Sequence, residues 1–229
     1  MTDTPRERAA ETGQRTEPPL LNIANVLTMV RIALVPVFIW FLVLDTQGQV
    51  FGPGSVEASN GGWRWAAAGV FALAVLTDKI DGDLARSRNL VTDFGKIADP
   101  IADKLLIGAG LVMLSLLGEL PWWVTIVILA RELGVTVLRM VVIRYGVMPA
   151  SRGGKLKTVL QSAGLLLMLL PLVVFASWLA DVAFWIMILA LVVTVVTGFD
   201  YLFSAIRMRR RVRKERAGSA DPGRDPDHD

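Results

Sequence analysis

Residues 77–104 read TDKIDGDLARSRNLVTDFGKIADPIADK and hold six aspartates, Asp78, Asp81, Asp83, Asp93, Asp99 and Asp103, between two long apolar stretches. A charged residue at the centre of a bilayer costs about 2.5–3.5 kcal/mol, and less near the interface. Several such groups together need partners, so the cluster reads as a functional site rather than as loop decoration. Helix geometry sorts them. At about 100° per residue, Asp78, Asp81, Gly82 and Ala85 share a stripe about 100° wide, and Gly95, Asp99 and Asp103 share one about 80° wide. Each of two successive helices therefore presents two carboxylates beside small residues, which let another group approach the backbone closely. Asp83 and Asp93 lie off these faces and read as ordinary interface charges.

Four facing carboxylates repel one another. Protonation relieves this in proton relays. Two divalent cations relieve it more fully, and an all-oxygen ligand set suits Mg²⁺, Mn²⁺ or Ca²⁺ rather than zinc. Paired cations on carboxylates are a device of phosphoryl chemistry, where they offset charge on attacking and leaving oxygens. A helix-end charge cluster with no ligand explains two of these aspartates, but not four aligned with their small neighbours.

Outward from this stretch, 53% of the 229 residues are hydrophobic and only 20% charged. The apolar residues come in blocks, which excludes one ordinary water-soluble globule. A membrane span needs about 20 mostly apolar residues. Six segments qualify: Ile23–Leu44, a second from Trp63 to about Asp78, Gly95–Leu117, Pro121–Arg144, Thr158–Trp178 and Val182–Ile206. The expected fold is an all-α polytopic membrane protein with six transmembrane helices over residues 21–207. Residues 1–20 read as a disordered cytoplasmic segment without a signal peptide, and 208–229 as a basic and then polar cytoplasmic tail.

Loop charge alternates. Residues 45–62, Gly118–Pro121 and Leu179–Asp181 carry no Lys or Arg. The 78–104 region, the connection with Arg144, Arg152, Lys155 and Lys157, and the run from Arg207 to Arg216 are basic. Positive residues favour the cytoplasmic side, so both termini and the aspartates are expected there. The 207–216 run reads as a stop-transfer signal, compatible with anionic headgroups, and no folded module accompanies it to suggest nucleic acid. Trp63, Trp65, Trp122, Trp123 and Trp178 fall at span ends on the other side, as aromatic belts do. With no cysteine, and with His228 as the single histidine in a polar tail, thiolate chemistry, His-ligated metals and His-based triads are excluded.

The motif Asp78-x2-Asp81-Gly82-x2-Ala85-Arg86-x8-Gly95-x3-Asp99-x3-Asp103 resembles the signature of the CDP-alcohol phosphatidyltransferase family at all eight fixed positions. The resemblance implies six transmembrane helices around a membrane-embedded polar cavity, and transfer of a phosphate-containing group from a CDP-linked donor to an alcohol. It further implies two Mg²⁺ (or Mn²⁺) ions, one held by Asp78, Asp81 and Asp99 and the other by Asp78, Asp99 and Asp103. Asp103 would also be the general base. Gly82, Ala85 and Gly95 would line the cytidine pocket, and Arg86 would hold the motif region or the donor. Asn22-Ile23-Ala24-Asn25-Val26-Leu27-Thr28-x2-Arg31, Thr92–Lys96, Ala130-Arg131-Glu132 with Leu138-Arg139, and Gly154–Thr158 with Gln161 look like the phosphatidylglycerophosphate synthase branch.

That branch implies CDP-diacylglycerol and glycerol 3-phosphate as substrates, and a bacterial-type cytoplasmic membrane as the location. Membrane lipids are the remaining expected partners, no nucleic acid is expected, and a homodimer is allowed. A phosphorylated acceptor needs a cationic site, for which Arg31, Arg131, Arg139, Arg152, Lys155 and Lys157 are candidates. Snorkelling, ion pairing or topology signalling are the other readings of these bases. Asn25 and Thr28 either hydrogen-bond the nucleotide or cap and pack the first span. The same family offers two alternatives: cardiolipin synthesis from phosphatidylglycerol, and transfer to inositol phosphate. A cation or proton-coupled transporter is the alternative from another class, but residues 120–206 do not repeat the 78–103 motif.

Overall fold

The computed structural model describes residues 23–47, 58–87, 93–142 and 152–218. Among these the chain forms six α-helices and a single 3-10 turn, with no strand. They are α1 (Ile23–Asp45), α2 (Gly62–Ser87), α3 (Asp93–Leu116), α4 (Trp122–Val142), α5 (Arg152–Leu169) and α6 (Ser177–Gly218), with the 3-10 turn at Leu172–Val174. α2 and α3 carry the aspartate stretch as helix on both sides of its middle. α3 stops where Gly118 adopts φ +73°, a left-handed conformation that a side chain disfavours. There the Glu119 and Leu120 amides turn back to the Leu114 carbonyl.

Several expected boundaries move. The fifth apolar segment was expected to reach Trp178, but α5 ends at Leu169, because Pro171 has no amide to continue the helix. The Leu179–Asp181 stretch, expected as a turn, is the first part of α6. That helix also runs on through the basic 207–216 run to Gly218, beyond the expected start of the tail at 208. The second segment also carries a base near its start, Arg64, which is 1% exposed.

α1 packs along α2 and α5 along α6, while α1–α3 and α4–α6 contacts close the bundle. Phe38, Leu42, Phe71, Leu111, Leu114, Leu165 and Met187 form its buried centre. Phe38 and Phe71 meet with ring centroids 5.7 Å apart. Gly164 permits the α5–α6 contact, since a Cβ there would stand 3.2 Å from the Met187 methyl and 3.4 Å from its backbone. Close approach over small residues is how helices associate where lipid removes the hydrophobic drive.

Several polar side chains are buried beside this apolar centre, and many large apolar ones face outward. Asn25, Thr28, Arg31, Lys157, Gln161 and Thr194 are buried, while Trp40, Leu73, Ile126, Leu133, Val159, Trp185 and Phe203 are exposed. Exposed apolar area on this scale marks a surface built for lipid or a partner. Among the described residues two helical stretches, Asn25–Asp45 and Ser177–Met208, are long and apolar enough to cross a membrane, and α5 has a shorter apolar run, Leu156–Leu169.

Candidate active site

One face of α1 meets the aspartates. Asn25, Thr28 and Arg31 recur at three-residue spacing, so they stack on one side of the helix, and all three are buried. Thr28 Oγ1 donates to Asp99 Oδ1 at 2.5 Å. Arg31 Nη1 lies 2.5 Å from Asp78 Oδ1; the arginine side chain is fully buried and the aspartate's is 44% exposed. A guanidinium removed from water needs a carboxylate beside it, and Asp78 meets that need while keeping an open side. Pro100, between Asp99 and Asp103 in α3, removes one intrahelical hydrogen bond beside the carboxylates.

Asp103 is within electrostatic reach of Asp78 and Arg31 on one side and of Glu132 and Lys157 on the other. It lines a cavity of about 130 Å³ with Lys104, Glu132, Lys157, Thr158 and Gln161, closed on its apolar side by Ile107, Leu129 and Leu133. Lys157 pairs with Glu132. Lys104 Nζ donates to Thr136 Oγ1 at 2.5 Å, and Thr136 donates to the Glu132 carbonyl at 2.8 Å. Gln161 is 2% exposed, and its Nε2 has no hydrogen-bond partner among the described residues. The cavity thus offers a carboxylate, an ammonium already balanced by a carboxylate, and an amide donor still to be met.

The bases expected to hold an acceptor phosphate separate into distinct positions. Lys157 lines the cavity. Arg31 stands instead against Asp78. Arg131 turns to α6, where Nη2 donates to Thr197 Oγ1 at 2.7 Å and Nη1 lies 3.3 Å from Glu132. Its side chain crosses Gly198, where a Cβ would come within 3.1 Å of the arginine Cγ. The side chains of Arg139 on α4, and of Arg152 and Lys155 on α5, lie outside the described residues. So do those of Asp81, Gly82, Ala85 and Arg86 on α2 and of Gly95 on α3, although their places on the helices are given.

Among the described residues no three acidic or histidine side chains converge into a metal shell, and Asp81 is not one of those side chains. Carboxylate oxygens are nevertheless the donors that a hard cation takes: Asp78 and Asp99 are both held by α1, through Arg31 and Thr28, and Asp103 is within electrostatic reach of Asp78. Glu132 and Gln161 line this cavity too; the sequence offers Glu132 only as an ion-pair partner for Arg131 and gives Gln161 no role of its own. Their signal is spacing: Lys157 and Gln161 stand four residues apart on α5, on one face.

A family model described as CDP-alcohol phosphatidyltransferase matches residues 21–196. A Mycobacterium tuberculosis protein named "Probable phosphatidylglycerophosphate synthase" is 48% identical over 198 residues, covering 86% of this chain and 88% of the relative. A Bacillus subtilis CDP-diacylglycerol–glycerol-3-phosphate 3-phosphatidyltransferase is 39% identical, over 80% of this chain and 94% of its own length. A Streptomyces coelicolor cardiolipin synthase (CMP-forming) is 38% identical over 145 residues, 63% of this chain and 62% of the relative.

Proposed function

The chain belongs to the CDP-alcohol phosphatidyltransferase family, and from that premise we propose that it transfers a phosphatidyl group from CDP-diacylglycerol to glycerol 3-phosphate. The products are phosphatidylglycerophosphate and CMP. The observation that carries this reading is that α1 holds both Asp78 and Asp99, through Arg31 and Thr28, while Asp103 opens into a cavity that Lys157 also lines. The relatives' names point to glycerol 3-phosphate as acceptor along most of the chain, whereas the cardiolipin synthase match is shorter.

In the proposed reaction an acceptor hydroxyl attacks the β-phosphorus of the donor, and the bond from that phosphorus to the CMP oxygen breaks. Asp103 takes the hydroxyl proton, as a carboxylate within hydrogen-bond reach does. Asp78, Asp81, Asp99 and Asp103 would hold two Mg²⁺ or Mn²⁺ ions, which when bound offset the charge of the donor phosphates and of departing CMP. Arg31 and Thr28 fix the orientation of Asp78 and Asp99. Lys157 supplies a point charge for the acceptor phosphate, and Glu132 holds that ammonium in place. Gly82, Ala85, Arg86 and Gly95 serve the nucleotide.

All six helices are taken to cross the membrane, with both termini and the aspartate end in the cytoplasm. The alternation of basic and base-poor connections supports that arrangement. Reporter fusions at residue 55 and at the C-terminus should therefore report opposite sides, and agreement between them would contradict six spans.

The acceptor is tested with purified protein, CDP-diacylglycerol and Mg²⁺, offering glycerol 3-phosphate, inositol phosphate and phosphatidylglycerol separately. Glycerol 3-phosphate should support CMP release. Turnover with phosphatidylglycerol alone would move the chain to the cardiolipin branch.

A further inference from the structure

The ionisable side chains that line the cavity at Asp103 are Asp103 itself, Lys104, Glu132 and Lys157. Of these, Lys104 has no part in the transfer as derived so far. Glu132 already meets two bases, pairing with Lys157 and standing 3.3 Å from Arg131. Lys104 makes no ion pair with a carboxylate among the described residues. Its Nζ donates instead to a neutral partner, Thr136 Oγ1, at 2.5 Å. Thr136 donates its own proton to the Glu132 carbonyl at 2.8 Å, which leaves its lone pairs for the ammonium.

The place of Lys104 on α3 is not that of a topology signal. Lys104, Ile107, Gly108 and Leu111 recur at three- and four-residue spacing, along one face of the helix. Ile107 and Leu111 are buried, so this face points into the bundle. A lysine that only marked the cytoplasmic side would snorkel from an outer face. An ammonium has three donors, and one hydroxyl occupies one of them, so Lys104 keeps its charge and further N–H groups for a ligand. Lys157 is 8% exposed and shared with Glu132, whereas Lys104 is only half-buried. The cavity, of about 130 Å³, is smaller than the roughly 300–1,000 Å³ of sites for drug-sized molecules, which suits a small polar acceptor.

We infer that Lys104 makes this site selective for an acceptor that carries a phosphate monoester. The inference rests on the transfer reaction proposed above and deepens it. A phosphate monoester carries about −1.5 to −2 charge near neutral pH, and a phosphodiester a single negative charge. Lys157, whose charge Glu132 offsets, balances only part of a dianion. Lys104 supplies the remainder from α3, across the cavity lining from Lys157 on α5. Thr136 is a positioning residue that holds this ammonium against α4. An acceptor without a phosphate, or with only a diester, forgoes the contact.

The test is steady-state kinetics of the purified full chain with CDP-diacylglycerol and Mg²⁺, offering glycerol 3-phosphate or glycerol. Lys104→Gln should raise the KM for glycerol 3-phosphate by about 10- to 150-fold, the worth of a charge-assisted contact. Its kcat and the KM for CDP-diacylglycerol should change little, as for a group that binds ground and transition states alike. Turnover of glycerol should fall far less than that of glycerol 3-phosphate. Lys104→Arg, which keeps the charge, should recover most of the loss, and Thr136→Val should raise the same KM severalfold. Titration calorimetry of glycerol 3-phosphate, with CMP and Mg²⁺ present, should show the same loss of affinity in Lys104→Gln. An unchanged KM in Lys104→Gln, or an equal loss with both acceptors, would overturn the inference. If Lys104→Gln does not fold, an unchanged KM in Thr136→Val overturns it. Wild-type protein that does not use glycerol 3-phosphate would overturn the acceptor reading and this inference together, so the wild type alone separates the two failures.

Discussion

Each end of the bundle buries one arginine against one carboxylate, and the two pairs are built for different work. At the aspartate end, Arg31 faces Asp78, whose side chain keeps 44% of its surface, and further carboxylates stand nearby on α3. At the other end, Arg64 divides its donors between Glu119 and the last carbonyls of α5, in the manner of a cationic C-cap. The first pair leaves carboxylate surface open to a ligand. The second ties α2, the turn after α3 and the end of α5 together. A buried ion pair alone therefore does not identify the reactive end; the two differ in how much carboxylate is left open, with Asp78 44% exposed against 28% for Glu119.

If that contrast holds, substitutions at the two ends should fail in different ways. The largest effect is expected from Asp103→Asn, which keeps volume but removes the proton acceptor. kcat should fall by about 10²- to 10⁴-fold with normal membrane insertion. Asp78, Asp81 and Asp99 changed singly to Asn should also lose most turnover, and Asp83→Asn should be mild. Steady-state CMP release checks this series, and full activity in Asp99→Asn would break the contrast.

Arg64→Ala should instead lower stability, by about 3–5 kcal/mol if the pair behaves as a buried one, with near-normal turnover per folded molecule. Unfolding in mixed detergent reads the first quantity, and activity normalised to folded protein the second.

Glu119 adds a pH dependence. Burial pushes its carboxyl above the usual range, and the charge and hydrogen bond of Arg64 pull it partly back. The folded state then holds this proton at pH values where the unfolded chain has released it. Stability from this group is present below the unfolded carboxylate range and is lost as pH rises through the raised folded value. Glu119→Gln should flatten that slope; an unchanged slope would show that another group sets it.

Lys157→Ala should raise the KM for glycerol 3-phosphate by about 10- to 150-fold, the worth of a charge-assisted contact, with little change for the donor. Arg139→Ala should act in the same direction if its side chain reaches the acceptor, and Lys155→Ala more weakly. Arg131→Ala should not show this selective KM effect, because Arg131 is engaged by Thr197 and Glu132. The smallest effect is expected from Thr28→Val, which removes one hydrogen bond to Asp99 and should cost about 1 kcal/mol of transition-state stabilisation, read as a severalfold fall in kcat/KM.

Much of this was legible in the sequence, for physical reasons. The 100° periodicity placed Asp78 and Asp81 on one helix and Asp99 and Asp103 on the next, and α2 and α3 carry them so. Apolar blocks gave six helices but not all their ends: helix continues through charged residues to Ser87 in α2 and to Gly218 in α6, and starts as early as Arg152 in α5, while around Pro171 a continuous apolar composition hides a break in hydrogen bonding. Partner choice was not legible. Arg31, Arg131 and Lys157 are equivalent as isolated bases, and only the packing of α1 on α2, α4 on α6 and α5 near α4 sends them to Asp78, Thr197 and Glu132. Arg64 stands near the start of an otherwise apolar run, and a base there calls for a partner that the sequence does not name.

The most direct test of the aspartate end as the reactive one is equilibrium Mn²⁺ binding to the purified chain, followed by electron paramagnetic resonance in the presence of CDP-diacylglycerol. Wild-type protein should bind about two ions per chain, Asp99→Asn fewer, and Asp181→Asn the same number as wild type. No tight Mn²⁺ in the wild type, or equal binding by wild type and Asp99→Asn, would contradict it.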